Sequence, residues 1–269
     1  MIDKLIIGTA NFGQKYGIAN NKSLEISKIR SIINQMRESD IRMIDTAIAY
    51  GDAEEKLGAV DLKDFKIITK IPLIRLKEKQ IKEKYLYEMV SDSLKRMQID
   101  LLEGVLLHAP NQIFTNEWIY DQLHKLKESN LVKKIGVSVN FPSEIESLIK
   151  NFDFDIAQIP YNILDGRWKS ALHDLNSKNI EVHARSIFLQ GLLLMKKELR
   201  PPKFNRWSNI LNLWDSQVKS SQHHPVDICI GHVMNNPLIS KLVVGVDSSM
   251  HLEKIISASQ KKISIEKDL

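Results

Sequence analysis

The sequence predicts a single α/β domain, a (β/α)8 TIM barrel over residues 1–269. Eight short β-type runs recur at intervals that leave room for a helix. Several are continuous apolar runs, as expected for strands buried on both faces of a parallel sheet. Eight such units in about 250 residues match the usual size of this barrel. An open doubly wound sheet is the main alternative, but Gly8–Gly13 is not expected to lead into the helix that its phosphate loop requires.

The predicted strands are spread along the whole chain. They are Leu5–Gly8, Met43–Thr46, Lys66–Lys70, Gly104–His108, Lys134–Val139, Ile156–Pro160, Glu181–Ala184 and Leu242–Val246. Between them, apolar residues recur at three- and four-residue steps, the spacing of the buried face of a helix. This periodicity predicts helices over Ser27–Ser39, Lys79–Met97, Asn116–Glu128, Ser143–Ile149, Trp168–Asn176 and His251–Ala258. Asn116 is the expected N-cap of its helix.

The connection between the seventh and eighth strands, Arg185–Lys241, is the longest. It starts irregularly with Pro201-Pro202 and returns to a helical pattern over Val226–Met234. Helix packing is the preferred explanation for Trp207 and Trp214 within it, ahead of contact with a substrate.

The composition is that of an ordinary soluble globular protein. Of the 269 residues, 43% are hydrophobic and 26% are charged, and no apolar run approaches the ~20 residues that cross a membrane. No apolar segment typical of a signal peptide follows the N-terminus, so a cytoplasmic location is expected. A single cysteine, Cys229, excludes an internal disulfide framework and a thiolate metal cluster.

The net charge of +5 is compatible with a nucleic acid or with a phosphorylated small molecule. The basic residues are scattered, however. The densest stretches, Lys63–Lys70 and Arg75–Lys84, alternate with acidic residues, as solvated helix faces do. No nucleic-acid partner is therefore expected, and a phosphorylated cofactor would use less of the surplus charge.

Polar side chains close three successive predicted strands. Asp45, Lys70 and His108 lie where the second, third and fourth strands end, and Tyr50 follows in the loop after the second. In a TIM barrel these strand ends meet at the rim that carries the active site. Each residue also has an ordinary explanation: a helix cap for Asp45, a surface lysine for Lys70, and turn positions for the other two. Their convergence on one rim favours a catalytic site.

These four side chains suit the reduction of a carbonyl group. Adding hydride to a carbonyl carbon leaves an alkoxide, which needs a proton donor nearby. Tyrosine has a pKa of about 10, and a neighbouring lysine ammonium is expected to lower it by favouring the phenolate. Asp45 would pair with Lys70, and His108 would orient the carbonyl oxygen through a hydrogen bond. This chemistry requires no metal.

Six motifs in order resemble the aldo-keto reductase family across nearly the whole chain. They are Met43–Gly51 with its sequel Asp52–Gly58, Ile67–Lys70, Leu106–His108, Ile135–Ser138, Gln158–Asn162 and Val243–Val246. The resemblance implies a barrel that binds NADPH, less often NADH, and reduces a small-molecule carbonyl substrate. By matching positions, Tyr50 is expected to be the general acid and Lys70 to tune it. Asp45 would pair with Lys70, and His108 would orient the carbonyl.

The resemblance also implies residues around the cofactor and the substrate. Those expected to bind the cofactor are Thr9, Asn11, Asp45, Ser138, Gln158, Arg185, Ser186, Phe188, Gly191, Gly245, Val246, Ser248 and His251. Those expected to line the substrate pocket are Phe12, Tyr16, Tyr50, His108, Tyr161 and Trp207. Gln158 and Ser138 would hydrogen-bond the nicotinamide carboxamide. A helix that begins near Ser249 would offer unpaired N–H groups to a phosphate.

Three positions depart from the family pattern. The usual Ser-Asn pair reads Ser138-Val139-Asn140, and the position that often stacks an aromatic ring on nicotinamide is Arg185. The segment that commonly carries a basic residue for the 2′-phosphate of NADPH contains Asp247 instead, which would repel a phosphate. The family resemblance therefore favours NADPH as the cofactor, whereas these residues do not. NADH stays an alternative.

The sequence thus predicts an NAD(P)H-dependent reductase of an aldehyde or ketone. Gly8–Asn20 looks like a bacterial subgroup associated with surface-sugar pathways, which favours a sugar-derived carbonyl. The alternative is a regulatory or scaffold subunit that binds the cofactor with little turnover. A metal-dependent hydrolase lacks a ligand set, since His223-His224-Pro225 fits a solvated loop. A monomer or a weak homo-oligomer without nucleic-acid or membrane partners is expected.

Overall fold

Eight parallel strands close into a barrel in which each strand pairs with the next and the last pairs with the first. They are β1 (Leu5–Gly8), β2 (Met43–Asp45), β3 (Lys66–Ile71), β4 (Leu102–Leu107), β5 (Val132–Ser138), β6 (Ile156–Pro160), β7 (Glu181–Arg185) and β8 (Lys241–Gly245). This computed structural model describes residues 2–18, 23–75 and 84–263. The predicted (β/α)8 TIM barrel is confirmed, and each predicted strand overlaps an observed one.

Helices cover the outside of the barrel and fill its connections. Within the described ranges they are α1 (Ala10–Gly13), α2 (Ile26–Glu38), α3 (Ala53–Gly58), α4 (Tyr85–Met97), α5 (Trp118–Glu128), α6 (Pro142–Asn151), α7 (Lys169–Ser177), α8 (Ser208–Ser221), α9 (Pro225–Met234) and α10 (Ser249–Gln260). Of the predicted helix Lys79–Met97, residues 79–83 lie outside the described chain.

One local prediction, the capping role of Asn116, is wrong, and one short helix is not predicted. This one-turn helix, α1, lies within Gly8–Gly13 directly after β1, and the described residues between it and α2 form no helix. Its last residue, Gly13, packs so closely on the β2 connection that an added Cβ would lie 1.8 Å from the Tyr50 carbonyl oxygen. This turn therefore depends on a segment distant in sequence. Asn116 is not an N-cap, because its Nδ2 donates to the carbonyl of Gln112 at 3.1 Å and α5 begins only at Trp118.

A layer of apolar side chains fills the inside of the barrel. It consists of Ile6, Met43, Ile68, Leu106, Ile156 and Val243. Residues two positions apart on a strand face the same side of the sheet. The residues two positions further along are Gly8, Asp45, Lys70, His108, Gln158 and Gly245. The polar strand-end residues therefore sit directly above an apolar layer, at the C-terminal mouth of the barrel.

Two further apolar clusters lie outside the barrel. The larger one is shared between the surrounding helices and the outward-facing residues of all eight strands. The smaller one supports the long connection after β7 and consists of Leu192, Leu193, Leu211, Trp214, Ile228 and Cys229. Trp214 donates from Nε1 to the Leu193 carbonyl at 3.1 Å, so its role there is packing.

Candidate active site

A cavity of about 500 Å³ opens at the C-terminal mouth of the barrel. Tyr50, in the connection after β2, forms part of one side of its wall, and His251 and Lys254 of α10 form part of another. The ends of β1, β7 and β8 also contribute to the wall. The cavity thus lies at the rim where barrel enzymes carry their active sites.

Asp45 connects three strands through its carboxylate. One oxygen pairs with Nζ of Lys70 from β3, and the other accepts a hydrogen bond of 2.8 Å from Nε2 of Gln158 on β6. Lys70 also donates to the carbonyl of Thr46 at 2.8 Å. Both charged side chains are buried, and a buried ion pair needs such additional hydrogen bonds because both charges have lost their water. Asp45 caps no helix, since α3 begins only at Ala53.

Tyr50 and His108 lie beside this ion pair. The ammonium of Lys70 lies over the Tyr50 ring, 5.2 Å from the ring centroid. The Tyr50 and His108 rings have centroids 5.8 Å apart. The structure therefore brings together all four residues that the sequence analysis proposes as catalytic, and their chemical roles stay predictions.

The pKa of Tyr50 departs from the expected direction. Burial raises it above the ordinary tyrosine value and the negative charge of Asp45 raises it further, whereas Arg185 lowers it. The expected lowering by Lys70 is not found, because Asp45 compensates the charge of that ammonium. Tyr50 is therefore protonated at neutral pH, which is the form that can donate a proton.

His108 is neutral at physiological pH. Burial lowers its pKa to about 4, and the positive charge of Lys70 acts in the same direction. A neutral imidazole retains one N–H donor. Burial also lowers the pKa of Lys70, while Asp45 opposes that shift. The site thus presents two neutral donors, Tyr50 and His108, next to a compensated ion pair.

Arg185 is the last residue of β7, and its guanidinium reaches across the mouth to the end of β5. Nη2 donates to the carbonyl of Val139 and to Oδ1 of Asn140, both at 2.8 Å. Nη1 donates to Oγ of Ser186 at 3.2 Å. Asn140 lies one position later in the chain than the asparagine of the usual family Ser-Asn pair. Its side chain holds Arg185 in the cavity wall.

The α10 side of the cavity combines acidic and basic groups. Oδ1 of Asp247 lies 2.5 Å from Nδ1 of His251. Ser248 caps α10, because its Oγ accepts a hydrogen bond from the backbone N–H of His251 at 3.3 Å. Lys254 also lines the cavity but was not predicted as a site residue. It follows His251 by three positions in a predicted helix, a spacing that places both on one face, so the pattern contained this signal.

Most of the residues expected to bind the cofactor line this cavity. They are Thr9, Asn11, Asp45, Gln158, Arg185, Ser186, Phe188, Gly191, Gly245, Val246 and His251, and the expected substrate residues Tyr16 and Tyr50 join them. Residues not predicted include Gly17, Ile18, Gln190, Leu194, Met195, His224 and Lys254. Several come from two loops that meet where the N–H of Ile18 donates to the carbonyl of Gln190 at 3.1 Å. No sequence pattern indicates that contact.

Four residues expected at the substrate do not line the cavity among the described residues, and His108, which lies beside Tyr50, is one of them. The other three are placed differently. Phe12 is fully buried in the large apolar core, where its ring is more favourably packed than at a solvated wall. Tyr161 stacks on His232 and accepts a hydrogen bond from Asn236 at 2.9 Å. Trp207 is exposed, with the Arg206 guanidinium 3.8 Å from its ring centroid. None of them is part of the cavity wall among the described residues.

Ser138 lies at the buried end of β5, where its neighbour on β6 is Gln158. It does not line the cavity in the described part of the chain. Ser248 is likewise absent from that wall, since its hydroxyl is used as the helix cap. Both stay predicted cofactor residues without a supporting contact.

The described residues contain neither a membrane-spanning helix nor a cluster of metal-binding side chains. In these ranges no helix combines the length and the apolar character needed to cross a membrane. The same residues contain no group of three or more His, Cys, Asp or Glu side chains placed to hold a metal ion. His224 caps α9, because its Nδ1 accepts a hydrogen bond from the N–H of Val226 at 3.3 Å.

The structure is a (β/α)8 barrel with a cavity at its C-terminal mouth, and a family model identifies the family. The model described as "Aldo/keto reductase family" matches residues 4–267, and the chain belongs to that family. Membership supports NAD(P)H-dependent reduction of small-molecule carbonyl compounds as the general activity.

Individual relatives agree with this assignment. The aldo-keto reductase YhdN of Bacillus subtilis (strain 168) is 25% identical over 241 residues, which cover 80% of this chain and 72% of the relative. The holo form of aldo-keto reductase AKR11C1 from Bacillus halodurans has a TM-score of 0.79 at 19% identity, over 98% of this chain and 89% of that one. Its apo form has a TM-score of 0.69 at 20% identity, over 88% and 82%. These two structures show the shared fold.

The buried ion pair leads to a stability prediction. Asp45→Asn should lower the free energy of unfolding by about 3–5 kcal/mol, because it leaves the buried Lys70 ammonium without a counter-charge. Asp45→Asn combined with Lys70→Met removes both charges and should recover much of that loss. Urea unfolding of the wild type, both single variants and the double variant gives the coupling energy. Losses that simply add in the double variant would contradict the pairing.

Proposed function

We propose that this protein reduces an aldehyde or ketone to an alcohol with Tyr50 as the general acid. The observation that carries the proposal is the position of Tyr50 in the cavity wall, in contact with both His108 and the Asp45–Lys70 pair. Burial keeps the phenol protonated, which suits the direction of carbonyl reduction.

In this mechanism the reduced nicotinamide cofactor, when bound, supplies the hydride. The Tyr50 hydroxyl donates its proton to the carbonyl oxygen as negative charge develops there. The N–H of neutral His108 donates a hydrogen bond to the same oxygen and orients it. The phenolate that proton transfer leaves behind lies beside the Lys70 ammonium, 5.2 Å from the ring centroid of Tyr50, whose charge Asp45 largely offsets. The positive charge of Arg185, which acts to lower the pKa of Tyr50, also favours this phenolate.

The cavity has features that fit a dinucleotide cofactor. Asn11 lies in its wall, and Oδ1 of this side chain is buried without a hydrogen-bond partner among the described residues. An added Cβ on Gly191 or Gly245 would meet no atom within 4 Å, so open space adjoins the backbone there. Gln158, Ser186 and Gly245 would hold the cofactor along this wall.

We infer that the cofactor is NADPH, with NADH as the weaker alternative. The 2′-phosphate needs positive charge, and Lys254 in the cavity wall together with the N-terminus of α10 offers it. The pairing of Asp247 with His251 reduces the repulsion that the sequence led us to expect.

The inferred cofactor choice can be tested by removing the cation. Lys254→Met should raise the dissociation constant for NADPH about tenfold, the cost of losing roughly one exposed charge-assisted contact, and should change NADH binding much less. Fluorescence titration of both cofactors measures the ratio. Lys150→Met, at an exposed lysine of α6, is the matched control. If Lys254→Met weakened the binding of NADPH and of NADH equally, the inferred phosphate contact would be wrong.

The proposed acid can be tested directly. Tyr50→Phe should keep the fold and cofactor binding, while kcat for aldehyde reduction falls by about two to four orders of magnitude because the proton donor is lost. Tyr87→Phe, at an exposed tyrosine of α4, is the control and should keep full activity. The substrate panel should include sugar-derived aldehydes beside simple ones.

Unchanged turnover in Tyr50→Phe would overturn the mechanism. The regulatory alternative predicts something else, namely that the wild type binds NADPH tightly but oxidises it with no carbonyl compound of the panel. Cofactor binding and turnover measured on the same preparation therefore separate the two functions.

A further inference from the structure

Glu54 is a buried carboxylate that the carbonyl reduction does not use directly. It belongs to α3, four residues after Tyr50, and only 2% of its surface is exposed. Within the ranges that the structure describes, it is not part of the cavity wall. A carboxylate in such a place is costly unless several donors compensate it.

Three side chains from two other elements donate hydrogen bonds to this carboxylate. Thr69 of β3 donates from Oγ1 to Oε1 at 2.7 Å. On the α4 side, Oγ of Ser93 lies 3.1 and 3.0 Å from the two oxygens. Arg96 of α4 donates to Oε2 from Nε at 2.8 Å and from Nη2 at 2.6 Å. Glu54 therefore joins α3 to β3 on one side and to α4 on the other.

Thr69 connects this network with the active site. Successive residues of a strand face opposite sides of the sheet, so Thr69 points out of the barrel while Lys70 points into its mouth. The connection after β2 is bound to the same strand at an earlier point, because the N–H of Ile48 donates to the Lys70 carbonyl at 3.1 Å. Tyr50 thus lies between two points of attachment to β3, at Ile48 and at Glu54.

Tyr50 is also joined directly to α3. Its carbonyl accepts a hydrogen bond of 3.2 Å from the N–H of Ala53, the first residue of that helix. The other end of α3 packs tightly on α4, since an added Cβ on Gly58 would lie 2.0 Å from the Arg96 carbonyl oxygen. A shift of α3 relative to β3 would therefore move Tyr50 relative to Lys70.

The influence of Glu54 on Tyr50 is geometric. Asp45 and Arg185 are the charges that act on the pKa of Tyr50, whereas Arg96 compensates the charge of Glu54. Proton transfer needs the donor within about 2.6–3.2 Å of its acceptor. A misplacement of about 1 Å can lower the rate by a factor of about 100. The attachment of α3 to β3 is therefore a requirement of the reaction.

We propose that Glu54 is a positioning residue, which fixes the Tyr50 hydroxyl for proton donation through its hydrogen bond with Thr69. This inference rests on the proposed function, because it needs Tyr50 to be the acid. The two sides of the network then have different roles. The Thr69 bond places the acid relative to Lys70, and the bonds from α4 hold the buried charge.

Single hydroxyl deletions separate these two roles. Thr69→Val keeps the shape of the side chain but removes the donor. For reduction of an uncharged aldehyde, kcat should fall about tenfold, while KM and the dissociation constant for NADPH change less than about twofold. Thr69→Ser restores a hydroxyl and should recover most of kcat. Ser93→Ala is the matched control, because it removes the other hydroxyl from the same carboxylate, and it should keep kcat.

Glu54→Gln should lower kcat at least as much as Thr69→Val. It also leaves Arg96 without its counter-charge and destabilises the fold, so the Thr69 variants decide the question if this variant does not fold.

A double-variant cycle shows whether the effect passes through Tyr50. Thr69→Val should lower kcat about tenfold in the wild type, but it should change the residual activity of Tyr50→Phe by less than about twofold. The reason is that no proton donor remains to be positioned in that background. A loss caused by general destabilisation would instead be the same in both backgrounds.

The outcomes distinguish this inference from the proposed function. Equal falls of kcat in Thr69→Val and Ser93→Ala, together with lowered unfolding temperatures, assign the network to stability alone and overturn the inference. An unchanged kcat in Thr69→Val, or an equal loss in the Tyr50→Phe background, also overturns it. All of these leave the reductase standing. Unchanged turnover in Tyr50→Phe by itself overturns the proposed function.

Discussion

The buried pair between Asp45 and Lys70 is the interaction on which the rest of the site depends. An ammonium and a carboxylate have both been taken out of water, and each is costly there unless the other is present. The pair itself leaves one Asp45 oxygen and further Lys70 N–H groups without a partner. Hydrogen bonds from Gln158 to Asp45 and from Lys70 to the Thr46 carbonyl supply these partners. Because these contacts join β2, β3 and β6, the pair also ties together distant parts of the barrel mouth.

The pair determines the protonation of its neighbours. An isolated Lys70 ammonium would lower the pKa of Tyr50. Because Asp45 compensates this ammonium, burial is the dominant effect, and burial raises the pKa of Tyr50. The same burial lowers the pKa of His108 to about 4. The mouth of the barrel therefore holds two neutral hydrogen-bond donors beside a balanced ion pair.

Much of the fold was predictable because its signals are local. Apolar runs identify the parallel strands. Because residues two positions apart on a strand face the same side, the residues that follow the apolar layer by two positions face the barrel mouth. That rule alone places Asp45, Lys70, His108 and Gln158 on one face. The short helix α1 escaped prediction because the close approach of Gly13 to the Tyr50 carbonyl involves a segment far away in sequence.

The parts of the site that escaped prediction also arise from tertiary contacts. The loop contact between Ile18 and Gln190 has no sequence pattern that indicates it. Phe12 and Tyr161 were expected to line the substrate pocket. Phe12 instead packs in the apolar core, and Tyr161 accepts a hydrogen bond from Asn236. The direction of the Tyr50 pKa depends on how completely Asp45 compensates Lys70, and residue types alone do not reveal that balance. Only Lys254 followed from a pattern already available, the helical spacing from His251.

The pH profile of the reaction tests the central claim most directly. The claim is that Tyr50 and His108 both stay neutral around neutral pH. With His108 neutral above about pH 4 and the pKa of Tyr50 raised above its ordinary value, kcat/KM for reduction of an uncharged aldehyde should be flat from about pH 5 to about pH 9. A tenfold fall between about pH 6.5 and 8.5, absent from the residual activity of Tyr50→Phe, would show that Tyr50 ionises there and would contradict the account.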